Sequence, residues 1–221
     1  MARPLNRTLA AVVCLVVMLT TVHPAWAQRG RGFRRLFGIS KAQLASLPDV
    51  QAELKMNDEQ KTRVAEINDE LREDRRELWG TGFGRFSEIR SELEQLNRDA
   101  SASVDKVLEP PQRKRLQEIS IQQNGPRALE DPEVVAELGL SDEQKTKLAA
   151  ASEENSQAFE KTFAESGRED WRQKSGELAD QADKRLLSVL TPEQQTQFKQ
   201  LEGEAFDVDL SQLFRGGRGP R

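Results

Sequence analysis

The chain has no tyrosine, a single cysteine and a single histidine in 221 residues. Cys14 and His23 both fall within residues 1–27, a segment that reads as removable. It carries Arg3 and Arg7, then an apolar run from Leu9 to Val22, then Ala25-Trp26-Ala27. A positive start, a short apolar middle and an A-x-A end describe a secretory signal peptide. The run is too short for a membrane span. The mature chain is therefore expected to hold neither thiol nor imidazole. That excludes a Ser-His-Asp triad, a Cys-His pair, a thiol redox centre and a His/Cys zinc or copper site. No β-type alternation of apolar and polar residues is apparent, and no Gly-rich phosphate loop follows a strand.

Charge is abundant but segregated. Without Arg3 and Arg7 the 33 basic residues fall to 31 against 37 acidic, a net of −6. Seven of those 31 are Arg29, Arg31, Arg34, Arg35, Arg215, Arg218 and Arg221. The remaining 24 face all 37 acids, so the body has a net charge of −13. Gly- and Arg-rich ends cannot bury enough apolar surface to fold, and are expected to be disordered.

The body is a tandem duplication. Shifted by 84 residues, VQAELKMNDEQKT (50–62) aligns with VVAELGLSDEQKT (134–146), nine of thirteen positions being identical. Further on, Val107-Leu108-Glu109-Pro110-Pro111-Gln112 aligns with Val189-Leu190-Thr191-Pro192-Glu193-Gln194. The organisation expected is a signal peptide 1–27, a basic lead-in 28–41, repeat one 42–125, repeat two 126–209 and a basic tail 210–221.

Within each repeat the apolar residues recur at helical spacing. Val64, Ile67, Leu71 and Leu78 form one stripe, and Leu93, Leu96, Ala100, Val104 and Val107 another. Leu148, Ala151, Phe159 and Phe163, then Trp171, Leu178, Ala182, Leu186 and Val189, repeat the theme. One apolar stripe on a charged helix predicts an all-α fold of paired long helices with coiled-coil-like seams. The helix starts are legible as capping boxes. Asn57 precedes Gln60, Ser141 precedes Gln144 and Thr191 precedes Gln194, each by three residues. The cap oxygen accepts from the N3 amide while the glutamine reaches back to the cap amide. Glu109 to Gln112 is the same site with a poorer cap. The apolar residues ahead of the boxes (Met56, Leu108, Leu140, Leu190) have no apolar N4 partner, so they are expected to pack against the long helices.

Leu190-Thr191-Pro192-Glu193-Gln194 matches the LTxxQ motif of the Spy/CpxP family of exported helical proteins, and Leu140-Ser141-Asp142-Glu143-Gln144 nearly does. Met56 to Gln60 and Leu108 to Gln112 are degenerate forms. Each repeat thus resembles one family unit with two motifs. The resemblance implies a bundle of long, kinked antiparallel helices, a periplasmic or otherwise exported location and a non-enzymatic, cofactor-free role. That role is binding unfolded or envelope proteins, or damping envelope stress. Two units in one chain suggest an intramolecular pseudo-dimer, with a homodimer as the alternative.

The candidate client-binding residues are aromatics at the two helix corners: Trp79, Phe83 and Phe86 around Gly80–Gly84, and Phe159, Phe163 and Trp171 around Ser166-Gly167. They either plug the corners or form an adaptable apolar patch. The acidic clusters Glu70/Glu73/Asp74/Glu77 and Glu202/Glu204/Asp207/Asp209 lack the spacing of a calcium loop and read as solvated faces. The arginine ends point to anionic envelope polymers rather than nucleic acid.

Overall fold

The computed structural model describes residues 38–80 and 86–215. Among these residues the fold is all-α, with no strand. Repeat one contains α1 (Lys41–Ala45), α2 (Pro48–Glu53), α3 (Asp58–Gly80), α4 (Phe86–Val107) and α5 (Pro110–Asn124). A 3-10 turn, Gly125–Glu130, leads into α6 (Pro132–Glu137), α7 (Asp142–Glu165), α8 (Arg168–Leu187) and α9 (Pro192–Leu201). A last helix, α10, covers Ser211–Arg215.

The two long hairpins, α3/α4 and α7/α8, are antiparallel: the first turn of α3 meets the last residue of α4, and the first turn of α7 meets Val189 just beyond α8. Their seams are those an amphipathic helix dictates. Val64, Ile67 and Leu71 of α3 are buried with Ala100 and Val104 of α4. Small residues (Ser175, Ala179, Ala182) dominate the buried face of α8.

The duplication extends further back than the aligned segments. Pro48 and Pro132 each open a short helix, and both short helices end in the same turn. Lys55 (φ 51) and Gly139 (φ 60) occupy equivalent left-handed positions. The N–H of Met56 bonds the Gln51 carbonyl and that of Leu140 the Val135 carbonyl, while Lys55 and Gly139 bond Ala52 and Ala136. This is the Schellman closure of a helix end, which needs a residue tolerant of positive φ and commonly drives an apolar residue inward just after it. Met56 and Leu140, the leading residues of two motifs, are that residue, and both are buried.

Each repeat has its own core. The first gathers Leu44, Leu47, Val50, Leu54, Met56, Val64, Leu108, Leu116 and Ile119 among others. The second gathers Leu129, Val134, Leu138, Leu140, Leu148, Leu186, Leu190 and Phe198. Helix α5 serves both, for Leu116 and Ile119 belong to the first and Ile121 to the second. The repeats are also joined by Lys41, whose buried ammonium lies 2.7 Å from Asp105 and 2.8 Å from Glu133. Burial opposes the charge on Lys41, but its bonds to Asp105 and Glu133 outweigh that and hold its pKa above the ordinary lysine value. Burial pushes the Asp105 carboxyl up, against the pull of Lys41 and helped by Glu133 and Asp131.

Two boundaries differ from the sequence reading. The lead-in 28–41 is not all tail: Ile39 is buried, and Ser40 opens α1 with a further capping box to Gln43. The C-terminal tail does not begin at 210, because Leu210 is buried and α10 follows it. Val208 and Leu210 join the first core, with Phe206 and Leu213 packed against it. Three apolar residues at alternate positions are enough to seat this segment. Residues 1–27, where a signal peptide is expected, lie outside the described residues, as do residues 28–37, 81–85 and 216–221.

Candidate functional site

The motif glutamines do more than cap. In repeat one, Gln60 Oε1 accepts the Asn57 N–H (3.1 Å), as a capping box requires, and the Gln60 N–H bonds Asn57 Oδ1 (2.8 Å). Its Nε2 donates to Gln112 Oε1 (2.8 Å) and to the Val107 carbonyl (3.1 Å). Gln112 mirrors it: Oε1 accepts the Glu109 N–H (2.9 Å), and Nε2 donates to Gln60 Oε1 (3.2 Å) and the Leu54 carbonyl (2.9 Å). The two carboxamides thus form a reciprocal clasp joining the starts of α3 and α5 to the ends of α2 and α4. The cap N–H fixes which end of each amide is oxygen, so neither can flip without losing its own cap.

The second repeat reproduces the clasp. Gln144 Nε2 donates to Gln194 Oε1 (2.6 Å) and Val189 O (3.0 Å), and Gln194 Nε2 donates to Gln144 Oε1 (3.3 Å) and Leu138 O (3.4 Å). Ser141 and Thr191 supply the caps, with both halves of each box present. All seven motif residues (Asn57, Gln60, Gln112, Ser141, Gln144, Thr191, Gln194) therefore fall at two clasps, one per repeat. Only glutamine fits: each side chain donates twice and accepts twice, which a carboxylate cannot do. The sequence shows the caps but not the pairing, whose only signal is the recurrence of two motifs per repeat. The clasps tie helices together and present no reacting group.

The second corner is a packed aromatic platform. Phe159 and Phe163, one turn apart on α7, stack at 6.0 Å between ring centroids. Trp171 of α8 meets both edge-on, at 5.1 and 5.3 Å. Phe159 is buried beneath the Trp171 edge, which removes it from the candidate contact residues. Phe163 is 60% exposed, alone among the large apolar side chains of the described residues. Trp171 is half-buried. In the first repeat, Phe83 and the side chains of Trp79 and Phe86 lie outside the described residues.

Two hollows lie on the surface of the described residues. One, of about 810 Å³, lies beside Gln60 and is lined by Asn57, Asp58, Glu59, Thr62, Arg63 and Glu66 among others. Its carboxylates are engaged in part: Arg63 holds Glu66 at 2.7 Å and Lys61 holds Asp58 at 3.3 Å. The other, of about 390 Å³, runs between the repeats past Asp105, Arg113, Gln117, Glu137 and Gln200. Among the described residues no cluster of His, Cys, Asp or Glu has the geometry of a metal site, and no helix is long and apolar enough to cross a membrane.

No protein-family model, curated protein or solved structure matches this chain, so its functional reading rests on the geometry above.

Proposed function

We propose that this chain is an exported, non-enzymatic helical binding protein of the chaperone-like or envelope-stress kind, resembling the Spy/CpxP family. The observation that carries the reading is the exposed Phe163 ring, held by Phe159 and Trp171 at the tip of the α7/α8 hairpin. An aromatic side chain already fixed by its neighbours offers apolar area with little ordering cost on contact. Exposed segments of other proteins would meet it reversibly and without nucleotide.

The test is an aggregation assay with an unfolding client at equal ratio. The reading expects protection by the wild type and its reduction in Phe163→Ser, a substitution at an exposed position, with the variant's helical circular dichroism matching the wild type. Equal protection by both, or none by either, overturns it. A second reading is favoured by the charge segregation: an acidic helical adaptor tethered to anionic envelope polymers by its arginine ends. It expects no client protection, but salt-sensitive retention on a polyanion that is lost when the arginines of 29–35 and 218–221 are replaced by glutamine.

A further inference from the structure

Beyond α9 the chain turns through Gly203 (φ +62) and runs from Glu204 to Leu210 without forming a helix. Exposure alternates along it. Ala205, Asp207 and Asp209 face solvent, whereas Phe206 is half-buried and Val208 and Leu210 are buried. That is the pattern of an extended segment with one face covered, which ends in a tight turn where the Leu210 N–H bonds the Val208 carbonyl at 3.0 Å. No strand pairs with it; side chains of α5 hold its backbone. Gln122 Nε2 donates to the Glu202 carbonyl and to that of Glu204 (2.7 Å), while Gln122 Oε1 accepts the Phe206 N–H (2.9 Å). Arg115 Nη1 donates to the Glu204 carbonyl (2.9 Å), and its guanidinium lies 5.9 Å from the centroid of the Phe206 ring.

We infer that the first repeat carries a groove for an extended peptide, and that residues 204–210 fill it in cis. The contacts of Gln122 and Arg115 read main chain and one aromatic ring. Main-chain bonds supply affinity, and pockets for alternate side chains supply selectivity. The occupant defines the ligand: an extended segment with apolar residues at three alternate positions and acids between them. The second repeat has no counterpart, because the position equivalent to Gln122 (82 residues on) is Glu204, beyond the end of α9. The groove would serve the client-binding reading proposed above by admitting a client segment of the same alternation whenever the cis segment leaves. A tethered occupant acts at a high effective concentration, on the order of millimolar for short flexible connections. Wild-type protein therefore binds a free peptide weakly, by the fraction of time the groove is open.

The probe is a fluorescently labelled synthetic peptide of residues 203–213, titrated into the full chain and followed by anisotropy. Two full-length variants unseat the cis segment. Val208→Asp with Leu210→Asp removes its anchors. Gly203→Ala strains its turn: the residue has positive φ, and a Cβ there would overlap the Glu118 carboxylate, which is pinned by Arg115 at 2.8 Å. Both are expected to bind the peptide at least ~10-fold more tightly than wild type. A scrambled peptide without the alternation should bind worse, and adding Gln122→Leu should abolish the gain. Affinity no better than wild type, in whichever variant keeps the wild-type helical circular dichroism, makes the segment a permanent piece of the core and overturns the inference. Aggregation assays on the same proteins separate the two proposals. Peptide binding without client protection defeats the chaperone-like reading alone, and protection without peptide binding defeats the groove alone.

Discussion

Replacing Gln60 by Glu is the sharpest test of the clasp. The substitution keeps shape and the acceptor for the Asn57 N–H but turns the amide nitrogen into a second oxygen. That oxygen then faces the Val107 carbonyl and Gln112 Oε1, which the Nε2 now meets at 3.1 and 2.8 Å. Two donated hydrogen bonds are lost at about 1 kcal/mol each, and the oxygens left facing an anion add about 1 kcal/mol or more. Rotating the Gln112 amide gives no relief, because its oxygen would leave the Glu109 N–H. The expected loss is about 3 kcal/mol at pH 7, or about 6–12 °C in Tm for a chain of this size. The sign with pH follows from the same geometry. The clasp favours a neutral carboxyl, since a protonated oxygen can donate to one of its neighbours, so the folded pKa is raised above the unfolded value of about 4.3. The group's contribution is then fully present below that value and lost as pH rises through the raised one. Urea unfolding of wild type and variant at pH 4 and pH 7 should show the deficit shrinking at pH 4. A deficit under about 0.5 kcal/mol at pH 7, or one equal at both pH values, would refute the clasp.

Lys41→Met should destabilise by about 3 kcal/mol, the low end for breaking a buried pair because Glu133 is largely exposed. In wild type the raised Lys41 pKa makes its contribution disappear only as pH climbs above the lysine range. In the variant, Asp105 loses its cation while the burial that raises its carboxyl remains, so the deficit relative to wild type should shrink on going from pH 7 to pH 4; urea midpoints at both values check this. Lys55→Gly should stabilise by about 1 kcal/mol in thermal unfolding, since a side chain at positive φ is replaced by the residue that repeat two already uses at Gly139. Gln117→Met should also stabilise, by about 1–2 kcal/mol in urea unfolding, because both polar atoms of the Gln117 amide are buried without a partner.

What the sequence reveals is what is local. Asn57, Ser141 and Thr191 start helices because a cap and its glutamine sit three residues apart, within reach of each other on any backbone that turns there. The apolar stripes settle the all-α class for the same reason. The pairing of Gln60 with Gln112 is a long-range contact that spacing alone does not encode. Ser40 to Gln43 is a legible box too, but it directly follows the arginine-rich stretch and is obscured by that composition. The alternation Phe206, Val208, Leu210 is visible as well. It is masked by Asp207 and Asp209, whose charge makes the stretch look like solvated surface when only one face is. Phe159 and Phe163 share a stripe, and which of them is covered depends on where Trp171 arrives from the facing helix.

The strap between Glu204 and Leu213 has a consequence for the order of folding. The core that begins with Ile39 takes Val208 and Leu210 from the far end of the chain. A polypeptide made from its N-terminus can close the second repeat before its own first repeat has every piece, and contacts this distant in sequence form slowly. The half that emerges first is thus finished last, and until then it presents an unfilled apolar seat to whatever unfolded chain is nearby.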